Sequence, residues 1–585
     1  MSIPRPEHPR PDFRRENWLN LNGPWAFGFD DSDAGVREGW FAKETLPLTI
    51  TVPFCYQSEH SGVEDKSDHP IVWYQRSFAL PDAFSQQDVW LRFGAVDENA
   101  QCWVNGRYCG EHTGGFTSFE FNITHLLRGG DNTITLRVED RLDSRDQPRG
   151  KQRWLPENFG CWYTPVTGIW QTVWLEARPR LFIEKVKVLP DADTGKLNLE
   201  VYLNGAPQGE WFEADVLFDG QPIASVKARA FHRTLNLSAD IRSSRHEWGV
   251  YLWEPETPHL YDLTYTLGAD RVHSYAGLRK IDARDGVVLL NNHPVYQRLI
   301  LNQGYFDGGL YTAKEDEDYI RDINLIKSLG FNGLRMHQKA EDPRFYYWCD
   351  RLGMLVWGEM GSPYQFNDRM MDKNTQSWQE IIARDFNHPS IIVWTMMNES
   401  WGIPGVLLDK QQQAHATALY YMAKAYDPTR LVISNDGWEH TQSDIITFHD
   451  YMQDGEELAK KIADPHQMMK KPVASIGNSL GYKFLFAQGF GYQNQPILFS
   501  ECCGTAFSYE QGWGYGEGVK TQEEFLERYQ SLVSAIYSAK YLAGFCVTQF
   551  TDVEQEINGI LRLNRQPKVD AEKFAQIIRG EKNRR

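Results

Sequence analysis

The sequence predicts a multidomain protein: two successive β-sandwiches, the second of immunoglobulin type, followed by a TIM barrel. Three observations predict it. Residues 1–180 carry short alternating or aromatic runs cut by turn pairs such as Asn105-Gly106, Gly129-Gly130 and Asp131-Asn132, with no competing helical period. Residues 181–282 repeat that pattern over roughly one hundred positions, the span of an immunoglobulin-like sandwich. From residue 283 to 585 the rhythm changes to short apolar runs alternating with helical stretches. A chain of 585 residues is also too long for a single core.

Taken in order, the first unit shows strand patterns at 89–93, 101–104, 133–138 and 171–175, which compose an all-β sandwich. The second shows them at 183–188, 197–202 and 261–267. Eight apolar runs follow, at 295–301, 332–336, 355–358, 391–397, 431–434, 445–448, 496–500 and 544–550. The run 391–397 is continuously apolar and partly β-branched, as a strand covered on both faces of a parallel sheet is. Amphipathic segments such as 316–329 lie between the eight runs. The connection between the sixth and seventh runs exceeds a minimal crossover, so 465–494 is expected partly as a long loop over the active face.

The polar candidates sit where those runs stop. Residues 391–397 are continuously apolar, and Asn398 and Glu399 follow directly, at the strand end where parallel α/β folds carry their chemistry. The alternative for Glu399 is a helix cap or first-turn residue, with about 0.5 to 2 kcal/mol of stability and no chemistry. A second run, 496–500, also ends in a carboxylate, Glu501. Two glutamates on one rim suit glycoside cleavage, in which one carboxyl protonates the leaving oxygen and the other attacks the anomeric carbon. Glu359 and Asp436 sit on the rim too, either to bind sugar hydroxyls or to pair with Arg335. Trp401, Trp438 and Trp513 stack on a sugar face or belong to the core.

Composition excludes several classes. A formal charge of −17 argues against nucleic acid or an anionic membrane surface as partner. No run of eighteen apolar residues and no signal-like leader occurs, so a cytoplasmic location is expected. The eight cysteines form no Cys-x-x-Cys pair and read as reduced thiols, with a redox role for Cys502 and Cys503 as the alternative. Histidines lack metal-ligand spacing, so no metal and no cofactor is expected.

These residues resemble glycoside hydrolase family two over nearly the whole chain. In the first unit, His112-Thr113-Gly114-Gly115-Phe116 and 168–176 (Gly-Ile-Trp-Gln-Thr-Val-Trp-Leu-Glu) are similar to the family's sugar-binding jelly-roll domain. Residues 252–261 resemble the end of its immunoglobulin-like domain. Asn387-His388-Pro389-Ser390 running into Asn398-Glu399 resembles the acid/base signature, and 496–501 the nucleophile strand. The resemblance implies a retaining, exo-acting glycosidase with Glu399 as acid/base and Glu501 as nucleophile. It further implies that Arg335 and Tyr451 neighbour the nucleophile, that Asn398 binds the sugar 2-hydroxyl, and that His337 is a sugar ligand. For such roles the nucleophile needs cationic or hydrogen-bonding neighbours, and the acid needs desolvation and a nearby negative charge.

Three departures stand out. Arg335 and His337 are separated by one residue where the family commonly has two, Leu299-Ile300-Leu301 replaces a Gly-Val-Asn, and Cys502-Cys503 replaces an aromatic-Gly pair. Glucuronidases of the family also carry an Asn-x-Lys pair near the barrel's end, whereas here isoleucine stands two residues after Asn558. The expected partner is therefore an oligosaccharide or glycoside with a neutral β-linked terminal sugar, first a β-galactoside. The alternatives are an arabinofuranoside, a galactofuranoside, a β-glucuronide, or a carbohydrate-binding protein with a dead barrel. A homo-oligomer is compatible with all of them.

Overall fold

The computed structural model of the protein describes residues 3–43, 45–242, 249–475 and 481–581. In the first sandwich a six-stranded antiparallel sheet, with central strands Ile71–Phe78 and Asn132–Glu139, faces a four-stranded one built on Asp88–Phe93 and Val173–Arg178. Alternate side chains of Asp88–Phe93 point inward, so Val89, Leu91 and Phe93 meet Trp25, Phe27 and Leu136 in one core. The second sandwich sets three strands (Ile183–Asp191, Lys196–Leu203, Thr234–Asp240) against four (Trp211–Phe218, Gln221–Arg229, Tyr261–Leu267, Asp270–Ala276).

All eight expected barrel strands are present: Gln297–Asn302, Gly333–Met336, Leu355–Glu359, Ile391–Thr395, Leu431–Ile433, Ile446–Asp450, Ile497–Cys503 and Leu542–Thr548. Every ladder is parallel, in the order five-four-three-two-one-eight-seven-six. Strands five and six are joined instead by side chains and one backbone bond: Ser434 N to Ser443 Oγ, Gly437 N to Thr447 Oγ1, and Asp444 N to Val432 O. Leu299, Leu301, Leu355, Trp357, Val393, Ile433 and Leu498 fill the barrel's lower interior, and the ribbon residues Ile281, Val288 and Leu290 complete that cluster. The polar layer lies above it.

Strand seven differs from expectation. It runs on to Cys503, so Glu501 is part of the strand, and the register shift between Phe499 and Cys502 is what turns it toward the interior. The 465–494 connection holds a short helix, Pro465–Met468, and a two-residue ribbon, Ala474–Ser475 with Tyr482–Lys483; its residues 476–480 lie outside the described ones. This connection is tied to the loop after strand five by Glu439 N to Phe484 O, His440 N to Leu485 O, and the Lys483–Glu439 ion pair at 3.1 Å.

A segment near the beginning of the chain straps the parts together. Arg5 bonds Asp316 of the barrel at 3.2 Å, Arg344 donates to His8 O at 2.6 Å, and Arg10 donates to Arg384 O at 3.1 Å. Arg15 then reaches Glu176 of the first sandwich at 2.9 Å and Asp270 of the second at 2.8 Å. Arg5, Arg15, Arg344 and Arg384 are buried, and Arg10 is partly so. None of the described helices is long and apolar enough to cross a membrane.

Candidate active site

Arg335, on strand two, is fully buried in the polar layer and uses its whole guanidinium there. Nε donates to Glu359 at 3.0 Å, Nη1 to Glu501 at 2.7 Å and to Asp436 at 2.8 Å, and Nη2 to Asn398 Oδ1 at 2.7 Å. His337 lies beside it, with Nδ1 3.0 Å from Arg335 Nη2. One cation thus gathers residues from strands two, three and seven and from the turns after strands four and five. The planar five-donor fork makes this geometry available to arginine and not to lysine.

Glu399 owes its place to an unusual turn. Glu399 and Ser400 both adopt left-handed backbone angles, φ 52° and 61°, each of which costs a non-glycine residue about 1 to 2 kcal/mol. The loop after strand five holds them there: Glu399 N donates to Asp436 O at 2.9 Å, Asp436 N to Met397 O at 2.8 Å, and Ser400 N to Asn435 Oδ1 at 3.0 Å. The turn points the Glu399 carboxyl over the barrel mouth. Its Oε2 accepts from Trp401 Nε1 at 3.3 Å and its Oε1 lies 2.9 Å from His449 Nδ1. About a fifth of the side chain is exposed.

Glu501 is deeper, and Tyr451 donates its hydroxyl to Oε2 in a short hydrogen bond. Tyr515 stacks on Tyr451 with ring centres 3.3 Å apart, and Trp513 meets Tyr515 edge-on at 4.8 Å. Burial raises the Glu501 carboxyl, but the charges of His449 and Arg335 outweigh it and leave the group below its ordinary range. Burial lifts Glu359 to about 7 despite Arg335. Asp436 is likewise buried, but Arg335 and His449 hold it well below the usual carboxylate range. Glu399 does not meet the expectation of an acid kept protonated by desolvation. Burial pushes it up, yet the hydrogen bond and charge of His449, with Lys151 behind them, bring it below the ordinary value.

The structure therefore brings together Glu399, Glu501, Asn398, Arg335, His337, Tyr451 and Asp436, with Trp401 and Trp513 at the margin. Of the two readings for Glu359 and Asp436, pairing with Arg335 describes both; Asp436 Oδ1 and Asn398 Nδ2 remain buried without a protein partner. Trp438 is buried, its ring edge-on to His449 at 5.4 Å. Cys502 and Cys503 are buried thiols with sulfurs 3.5 Å apart.

Sequence reasoning missed His449, on strand six, and a loop of the first sandwich. That loop crosses to the barrel through Gly150 N to Ser362 O at 3.1 Å, Thr164 N to Glu554 at 2.8 Å, and a short Tyr163–Glu556 hydrogen bond. It brings Trp162 edge-on to Trp401 at 5.4 Å and near Tyr364 at 5.9 Å, an aromatic shelf beside Glu399. It also buries Lys151, whose ammonium is 3.3 Å from Cys161 Sγ; among the described residues no carboxylate lies within 4.0 Å of it. The aromatic run Trp154–Tyr163 was the available signal.

As for a cation, donor atoms of Glu399, His449 and Glu501 lie within 4.8 Å of one another. A metal there would displace the proton through which His449 binds Glu399, so the set reads as a hydrogen-bonded network.

Comparison with known proteins follows the same lines. Residues 19–179 match the model of the glycosyl hydrolases family 2 sugar binding domain, and residues 281–580 that family's TIM barrel domain. The β-glucuronidase of Canis lupus familiaris is 26% identical over 643 residues, 96% of this chain and 91% of its own. A β-galactosidase of Photobacterium profundum is 27% identical over 478 residues, 73% of this chain and 43% of its own. A putative β-glucuronidase of Formosa agariphila is 29% identical over 375 residues, 61% of this chain and 44% of its own, so this chain spans under half the length of both bacterial relatives. Among solved structures, a Ruminococcus gnavus β-glucuronidase superposes with a TM-score of 0.79 at 19% identity, covering 99% of this chain and all of that one, a likeness of fold.

Proposed function

This chain belongs to glycoside hydrolase family 2, and on that premise we propose that it is a retaining exo-glycosidase that removes a terminal β-linked neutral sugar, a β-galactoside first, by double displacement. The observation that carries the mechanism is the carboxylate separation. An oxygen of Glu399 lies within 4.8 Å of an oxygen of Glu501, nearer to the roughly 5 to 5.5 Å of retaining pairs than to the about 6.5 to 9.5 Å of inverting ones.

Glu501, ionised by its neighbours, attacks the anomeric carbon, while Glu399 protonates the departing oxygen and later deprotonates water. Asn398 and Asp436 each present an unpartnered polar atom for sugar hydroxyls. The shelf of Trp162 and Trp401 takes the leaving group, which adjoins the acid.

Charge supports a neutral glycone. Lys339 is spent on Glu341 at 2.6 Å and on two carbonyls, and Arg562 on Glu510 at 2.8 Å. Around the pocket Glu399, Asp436 and Glu501 stand against Arg335, His449 and Lys151, while burial raises Glu359 and Glu556, so the charges of the site already balance and a uronate would add an unmatched negative one. Lys151 favours the second reading, a β-glucuronide, because its ammonium is buried without a carboxylate of its own. Aryl β-galactoside and β-glucuronide at one pH decide between them. The neutral reading expects at least about tenfold higher kcat/KM on the galactoside, roughly 1.4 kcal/mol. A glucuronide preference abolished by Lys151→Met would establish the other.

A further inference from the structure

We propose that His449 is a positioning residue that stores the proton Glu399 delivers to the leaving group, and takes it back when water is deprotonated. The inference rests on the roles just given to Glu399 and Glu501 and goes beyond them, because it places the resting proton on a third residue.

The ring stands between two carboxyl groups, one at each nitrogen. His449 is buried, its Nε2 is 2.9 Å from Asp436 Oδ2, and its Nδ1 is 2.9 Å from Glu399 Oε1 and 3.6 Å from Glu501 Oε2. Asp436, paired with Arg335, accepts from Nε2, and the contact between Nδ1 and Glu399 Oε1 holds one further proton between ring and carboxyl. Gly437 leaves room for the ring: a Cβ there would come within 2.8 Å of its Nδ1, and φ at this residue is +96°.

Every element packed around the ring contributes charge. Strand seven brings Glu501, the turn after strand four Glu399, and the loop after strand five Asp436 and His440. Strand two brings Arg335 and His337, and the first-sandwich loop brings Lys151 toward Glu399. Burial lowers the imidazolium, but Glu501, Asp436 and Glu399 outweigh it and raise it to about 10. His440 and His337 are kept neutral by their own burial.

The step balances. As Glu501 bonds to the anomeric carbon, the electron pair of the breaking glycosidic bond goes to the leaving oxygen. That oxygen takes a proton from Glu399, which takes the Nδ1 proton of His449. The ester formed at Glu501 removes one negative charge at the moment His449 loses its positive one, so the net charge of the buried site is unchanged. Hydrolysis runs the steps in reverse: the water proton passes through Glu399 to His449, hydroxide oxygen bonds to the anomeric carbon, and the electron pair returns to Glu501. An acid that kept its own proton would have no need of an imidazolium held against it.

Nitrogen NMR of the full-length protein labelled with 15N-histidine tests this, with the His449 signal assigned by its loss in His449→Gln. The resting protein at pH 7 is expected to show both ring nitrogens protonated, and the protein trapped as its 2-fluoroglycosyl ester at Glu501 a neutral ring. A neutral ring in the resting protein, or an unchanged one in the trapped protein, overturns the proposal. In kinetics, His449→Gln is expected to move the basic limb of kcat/KM down by at least about two pH units, with a loss that grows from dinitrophenyl to alkyl leaving groups. A limb left in place with a uniform loss reduces His449 to a spacer. Failure of the wild-type protein to cleave any glycoside would instead overturn the catalytic roles, an outcome distinct from normal cleavage with a neutral His449.

Discussion

Glu501 is held by Arg335 and Tyr451, and its loss is expected to remove chemistry while sparing the fold. Glu501→Ala should lower kcat by several orders of magnitude with a melting temperature within a few degrees of wild type, and a 2-fluoro glycoside should label Glu501 in the parent protein. Label on Glu359 or Asp436 would reassign the nucleophile. Glu399→Ala should behave differently, since on the proposed mechanism both steps use it: the loss should be smallest for low-pKa leaving groups, and azide should restore turnover by replacing the base-assisted water. Equal losses and no azide effect would refute that role. The reverse arrangement holds for Arg335, which no substrate atom needs to touch for its removal to be felt. Arg335→Met strips three buried carboxylates of their cation and should destabilise by about 3 to 5 kcal/mol, read as a lowered denaturation midpoint. Glu399 and Glu501 were legible because each ends a continuous apolar run. His449 was not: in Ile446–Asp450 it reads as one polar residue in a strand, and only the fold shows that Glu399 and Asp436 flank it.

At the level of elements, the turn after strand four and the loop after strand five behave as one unit. Asn435 connects them through Ser400 N, Ser400 Oγ and Trp438 O, at 3.0, 3.0 and 2.7 Å. Asn435→Ala leaves the buried Ser400 N–H unpaired and loosens the left-handed turn. A cost of about 1 to 3 kcal/mol is expected, together with a kcat loss of tenfold or more as Glu399 swings from its aim. Retained kcat with lowered stability would show that Glu399 needs no such support. The eight barrel strands were legible to within a few residues, because strands covered on both faces leave short, mainly apolar runs between the helical stretches. Two features left none. The turn of Glu501 into the barrel depends on a register shift, which has no composition of its own. The loop carrying Lys151 and Trp162 lies in a stretch whose aromatic residues read as ordinary sandwich core, and its partners Ser362, Glu554 and Glu556 are hundreds of positions away.

For the whole molecule, the N-terminal strap couples stability to pH. Buried His8, within the strap, is held neutral by its burial, with its value lowered from 6.5 to about 3. The unfolded chain therefore binds a proton that the folded one refuses, so this contribution is complete above about pH 6.5 and is lost as pH falls toward 3, at up to about 1.4 kcal/mol per unit. Asp12, lowered to about 2 by Arg10 against its burial, acts in the same direction below about pH 4. The melting temperature should fall from pH 7 to pH 4, and His8→Gln should flatten the upper part of that slope; an unchanged slope would remove His8 from the account. The strap has a temporal consequence as well. Arg5 and its partner Asp316 are 311 positions apart, so at about 5 to 20 residues per second a ribosome takes roughly 15 to 60 s to deliver the partner after the arginine. Both sandwiches are complete in sequence by residue 276, so Arg15 can join Glu176 and Asp270 while Arg5 still waits for its partner. The Arg5 end of the strap thus settles after the Arg15 end, and its docking reports that the barrel's opening helices, Asp316–Ser328 and Pro343–Leu352, have been built.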